Sequence, residues 1–209
     1  MKYLTGLSFV LSILIMSSCI KHEVIPPPKP EVDLPTSFRS LLEGNPYEII
    51  KDVDGYYCES TQKKEILPAP QPSSIVYYSS IKSEQKLDYI KIGIGKLNFN
   101  AGTNNDIPSL ESFTTFFNSN LAPTFKKDAE GGVEIVYRDA QGGTWFSDEN
   151  STLTQNFTFT SLLQESDESG DYMKFTARFN VSLVDDLVTP TDTIVFENAV
   201  FEGFFERLK

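Results

Sequence analysis

Trp145, the only tryptophan of the chain, follows Tyr137 across the turn Asp139-Ala140-Gln141-Gly142-Gly143. Val133, Ile135 and Tyr137 alternate with Glu134, Val136 and Arg138, and Thr144-Trp145-Phe146 resumes beyond the turn. This spacing and turn chemistry predict a β-hairpin. The hairpin would set Trp145 beside Tyr137 and the two glycines, an aromatic platform able to stack on the face of a sugar. The competing reading packs Trp145 into the core of the hairpin, where large aromatics commonly sit. Trp145 and Tyr137 are the candidate ligand-binding residues.

Catalysis is poorly supplied. The single histidine, His22, lies in a proline-rich stretch, so the folded domain has no imidazole for a Ser-His or Cys-His pair. No GxSxG elbow is present. Zinc would have to be held by carboxylates alone, an unusual set. Two carboxyls suffice to hydrolyse a glycoside, and acids are plentiful, but no spacing singles out a pair. The sequence therefore yields no catalytic residue, and a non-enzymatic role is expected.

Two acid-rich turns gather oxygen ligands: Glu165-Ser-Asp167-Glu168-Ser-Gly170-Asp171, and Asp185-Asp186 through Asp192. Neither has the EF-hand spacing with its closing Glu at position twelve. They read either as weak calcium loops or as solvated turns that guard strand edges. No other cofactor or metal is implied.

The chain begins Met-Lys-Tyr, runs through apolar residues from Leu4 to Met16, and reaches Ser17-Ser18-Cys19. The apolar run is too short for the roughly 30 Å hydrocarbon core of a bilayer and has the form of a signal peptide. Small residues followed by Cys resemble the lipobox of bacterial lipoproteins, with Met16 standing where that family prefers Leu. The resemblance implies that residues 1–18 are removed and that Cys19 is acylated. It also implies a membrane partner, reached through the lipid at Cys19. Ile20 is not the Asp that retains enteric lipoproteins at the inner membrane, so the resemblance implies an outer-membrane location, facing either side.

Acylation of Cys19 leaves Cys58 unpaired, since the chain has only two cysteines. Cys58 is then a small hydrophobe within a strand or a reactive thiol, and no cationic neighbour in sequence lowers its pKa. The formal charge of −11 repels phosphate backbones and argues against a nucleic-acid partner. Pro26, Pro27, Pro28, Pro30 and Pro35 make residues 19–36 a polyproline-II tether, up to roughly 50 Å long at about 3.1 Å per residue.

Residues 37–209 are expected to form one mainly β domain, and Phe, Tyr, Val and Thr favour strands. Residues 37–42 read as a short helical turn stopped by Gly44-Asn45-Pro46. Short strands follow at 47–50 and 56–59, and longer ones at 75–81 and 87–99. The one helix follows Ser109, with Leu110, Phe113, Phe116 and Phe117 on one stripe. After the 133–146 hairpin come Phe157 and Phe159, then the clearest alternation of the chain, residues 174–184. Residues 193–197 and 200–207 complete the sheet around a bend at Asn198-Ala199. The fold class is an antiparallel β-sandwich or half-open barrel with one short helix.

Residues from about 75 to 207 resemble a group of small β-sandwich lipoproteins of Bacteroidota. The matching stretches are Gly132-Val-Glu-Ile-Val-Tyr-Arg-Asp, Gly143-Thr-Trp, Lys174-Phe-Thr-Ala-Arg-Phe-Asn-Val-Ser-Leu and Glu197-Asn-Ala-Val-Phe-Glu-Gly-Phe-Phe. The resemblance implies a cell-envelope protein and supplies no catalytic residue. Asp192-Thr193-Ile194 also resembles the short O-glycosylation sequon of that group. Three readings of function follow. One is a lipid-anchored envelope binding module with a glycan or envelope protein as partner. A carboxylate-based glycoside hydrolase or glycan-binding accessory protein is the second, and a purely structural envelope lipoprotein the third.

Overall fold

In β9 (Asp171–Val184), Phe175, Ala177, Phe179, Val181 and Leu183 are buried on one face while Arg178 stands exposed on the other. That period of two is seen again over Asn156–Thr160, in a computed structural model that describes residues 31–102 and 106–207. Cys19, His22 and most of the proline-rich stretch lie outside the described residues. The described strands are β1 (Ser37–Leu42), β2 (Asn45–Ile50), β3 (Tyr56–Glu65), β4 (Ser73–Ser83) and β5 (Tyr89–Phe99). The helix α1 (Leu110–Ser119) separates these from β6 (Val133–Arg138), β7 (Thr144–Ser147), β8 (Asn156–Ser166), β9 and β10 (Thr193–Arg207).

These strands form one antiparallel sheet in the order β2-β1-β10-β9-β7-β6-β5-β4-β3, with β8 paired to β9 off that path. The sheet curls on itself as a half-barrel, and this decides between the two architectures the sequence left open. Beyond Glu202, where β1 ends its pairing, the free edge of β10 meets β3. Glu206 N donates to Ser60 Oγ at 2.8 Å, and Gln62 Nε2 donates to Glu206 O. Side chains, and not a backbone ladder, stitch this seam.

Residues 37–42 correct one sequence expectation. They form β1 and not a helical turn. Glu43 and Gly44 both take left-handed backbone angles (φ 50° and 76°), so they make the two-residue loop of a hairpin with Leu42 opposite Asn45. A bulge between Arg39 and Leu41 interrupts the alternation and hides the strand from a period-two search. The Asn198 bend is likewise a bulge (φ 51°) inside one continuous β10.

Helix α1 forms as its stripe predicts. Ser109 caps it, its Oγ accepting from Ser112 N at 3.1 Å. Phe113 and Phe117 are fully buried: Phe113 meets Tyr77 edge-on at 5.2 Å, and Phe117 stacks on Phe205 at 4.9 Å. After the helix, Leu121 O accepts from Phe159 N, so the same segment also holds the outer edge of β8. Further on, Phe125 pairs in parallel with Val133. That approach needs a glycine: a Cβ on Gly132 would sit 2.3 Å from Thr124 O.

Residues 31–36, the end of the stretch read as tether, are among the described residues. Val32 N donates to Asp167 Oδ2 at 3.0 Å, and Thr36 is buried. No helix among the described residues is long and apolar enough to cross a membrane.

Candidate functional site

Tyr137 and Trp145 are directly opposed in the β6–β7 register, so their side chains leave the hairpin on the same face. The turn between them is closed by Asp139. Its N–H donates to Gly143 O at 2.9 Å, and Gly142, at φ 92°, donates back to Asp139 O at 3.0 Å. Asp139 Oδ1 accepts from Gln141 N at 2.9 Å and Gly143 N at 2.8 Å, while Oδ2 accepts from Trp145 Nε1 at 3.1 Å. Partial burial works to raise the Asp139 pKa, but donors from Trp145, Gly143, Gln141 and Gly142 outweigh it. The carboxyl is held below its ordinary range. Asp139 is thus a fixed anion that locks the indole.

Tyr47 of β2 reaches the same place from the far end of the sheet. Its hydroxyl donates to Asp88 Oδ2 at 2.7 Å, and its ring meets Tyr137 edge-on at 5.8 Å. Phe196 of β10 lies against Tyr137 at 5.1 Å, also edge-on. Burial raises the pKa of both tyrosines. For Tyr47 the hydrogen bond to Asp88 adds to it. Both phenols stay protonated at neutral pH.

Between these groups lies an open cavity of about 440 Å³. Leu42, Pro46, Tyr47, Tyr137, Trp145 and Ile194 form its walls and floor. Glu43, Asn45, Asp139 and Gln141 supply its polar rim. Trp145 is half-buried and packs against the core, yet its remaining surface lines the cavity, so the two readings of this residue hold together. Tyr137 is only 4% exposed and acts mainly as floor. The hairpin residues were readable from local spacing. Tyr47, Leu42, Pro46 and Ile194 were not, because they arrive from β1, β2 and β10. Asp139 carried a signal that sequence reasoning passed over: an Asp opening a Gly-rich turn is placed to accept backbone N–H groups.

The acid-rich turns spend their carboxylates internally. Asp167 accepts from the amides of Val32, Ser169 and Gly170, which lower its pKa. Asp185 accepts from the hydroxyl and amide of Thr191 and from Asp192 N, and its pKa falls to about 2. Asp186 accepts from Val188 N and Thr189 N. Asp171 pairs with Arg207. Among the described residues no group of three or more acidic, His or Cys side chains is placed to hold a metal ion.

Cys58 is half-buried on β3, with Sγ 3.3 Å from Ser79 Oγ. Burial pushes its thiol up to about 11, against the opposing hydrogen bonds from Ser79 and the Phe204 backbone. It packs as a small hydrophobe against the core. No protein-family model, no curated protein and no solved structure matches the chain. The cavity between Trp145, Tyr137 and Tyr47 is the candidate functional site.

Proposed function

We propose that the chain is a lipid-anchored binding module of the cell envelope, tethered at the outer membrane through Cys19 and holding its ligand in the Trp145–Tyr137 cavity. The observation that carries this reading is the opposition of Tyr137 and Trp145 beside residues from β1, β2 and β10. Three distant strands meet to build one aromatic-walled opening with a polar rim, the usual make-up of a ligand pocket. The ligand is a small molecule or an exposed group on an envelope glycan or protein. Asp139 is unsuited to be the general acid of a glycoside hydrolase. Asp139 has its oxygens committed to N–H donors and its pKa lowered, whereas a general acid needs a raised one.

Two experiments test the reading. Labelled palmitate should enter the chain in bacterial cells and be lost in the Cys19→Ser variant, and the label surviving that change would overturn the anchor. Since Trp145 is the only tryptophan, its emission reports on the cavity alone. Acrylamide should quench it in the free chain, and envelope glycan fragments or peptides that bind should protect it. A blue-shifted emission that neither quencher nor any ligand alters would overturn the site.

A further inference from the structure

We propose that the group this cavity takes is an organic cation, a small solute bearing a quaternary ammonium. The proposal rests on the reading of the cavity as the ligand site and names its chemistry. Three aromatic side chains, Trp145, Tyr47 and Tyr137, share the lining, and the negative face of an aromatic ring attracts a cation placed over it. The two ionisable rim residues, Glu43 and Asp139, are both acids; no Lys, Arg or His is among the lining residues. The chain as a whole carries a formal charge of −11. Arg138, beside the turn, is not part of the lining. Field and π-faces therefore favour the same sign of ligand.

Several donors of the lining are already engaged within the protein, and the capacity left open on the rim is mainly that of acceptors. Trp145 Nε1 is used by Asp139 Oδ2, and Asp139 Oδ1 accepts from Gln141 N and Gly143 N. The Tyr47 hydroxyl is used by Asp88, Glu43 Oε1 accepts from Val195 N, and Asn45 Nδ2 donates to Glu43 O. Glu43 Oε2, Asn45 Oδ1 and the Gln141 amide keep hydrogen-bonding capacity, so the rim is acidic and rich in acceptors and turns away anions. A quaternary ammonium donates no hydrogen bond and loses nothing on that account. It needs only the charge of the two carboxylates and the faces of the rings.

The full-length chain in a polyoxyethylene detergent is titrated with choline chloride while Trp145 emission is followed. Tetramethylammonium, glucose, sodium chloride at matched ionic strength, and 3,3-dimethylbutanol, the neutral isostere of choline, are run alongside. Choline and tetramethylammonium should give a saturable change that the alcohol, glucose and sodium chloride do not. Glu43→Gln, whose amide oxygen can still accept from Val195 N, should weaken choline about two- to fivefold, as for an exposed charge contact. Equal binding of choline and its neutral isostere, or binding of glucose without choline, would overturn the cation while leaving the cavity as the ligand site. No response to any probe, with Trp145 also closed to acrylamide, would overturn both.

Discussion

The indole N–H of Trp145 donates to Asp139 Oδ2 at 3.1 Å across the turn of its own hairpin. One carboxylate therefore sets both the turn geometry and the angle at which the only tryptophan faces the cavity. The pair couples the site to pH. Asp139 has a folded pKa below the ordinary value of about 3.9. Its stabilising contribution is complete above that value and is lost as pH falls through the folded pKa. Trp145 emission should change in a step at pH below about 4, and Asp139→Ala should abolish the step. The same variant should lower stability in urea unfolding by about 1 kcal/mol, the range for a half-exposed, hydrogen-bonded carboxylate.

A second pair tests the end of the β9–β10 ladder. Arg207 near the end of β10 donates through Nε to Asp171 Oδ2 at 2.9 Å and through Nη1 to Pro108 O at 3.0 Å, and the Asp171 side chain is 6% exposed. Arg207→Ala removes the charge partner of a buried carboxylate, which keeps only uncharged donors such as the Ser166 hydroxyl, and should cost about 3 kcal/mol in chemical unfolding. Asp171→Leu combined with Arg207→Met should recover a good part of that loss, because no lone charge is then left behind. A single variant as stable as the parent would show the pair to be dispensable.

Helix α1 gives an internal comparison. Phe117 is fully buried against Phe205 and Phe113, whereas Phe116 is half-buried at the same end. Phe117→Ala should cost about 3–5 kcal/mol, and Phe116→Ala distinctly less. Equal costs would mean that the helix is not the plug its packing describes.

Cys58 supplies a probe of opening. With its thiol pushed up to about 11, it is protonated and unreactive at pH 8 in the folded chain. In a chain whose Cys19 is acylated or replaced, Ellman's reagent should label Cys58 at the rate of unfolding and much faster in denaturant. Rapid labelling under native conditions would contradict the packing of β3 on β10.

Local pattern revealed most of the strands and little of how they are joined. β9, the β6–β7 hairpin and the α1 stripe carry uninterrupted periods of two or 3.6, and they lie where that periodicity places them. β1 was misread because its bulge breaks the alternation and because a Glu, not an Asn or Gly, opens its left-handed loop. Sandwich and half-barrel could not be separated, since the seam depends on Ser60 and Gln62 meeting Glu206 from the other end of the chain. The cavity divides in the same way. Trp145 and Tyr137 are neighbours through one turn, while Tyr47 and Ile194 join them only once the sheet has curled.

β10 holds the partners that complete the fold: β9 along one edge, β1 along part of the other, and β3 across the seam. It is also the last strand in the chain order. A ribosome or a secretion channel delivers residues in that order, so the earlier strands must wait, unpaired at these edges, until residues 193–207 emerge. Such non-local closure slows folding and leaves β1 and β3 exposed to wrong partners in the interval. A chaperone that shields nascent strands would therefore matter more to this chain than to a fold completed by local contacts.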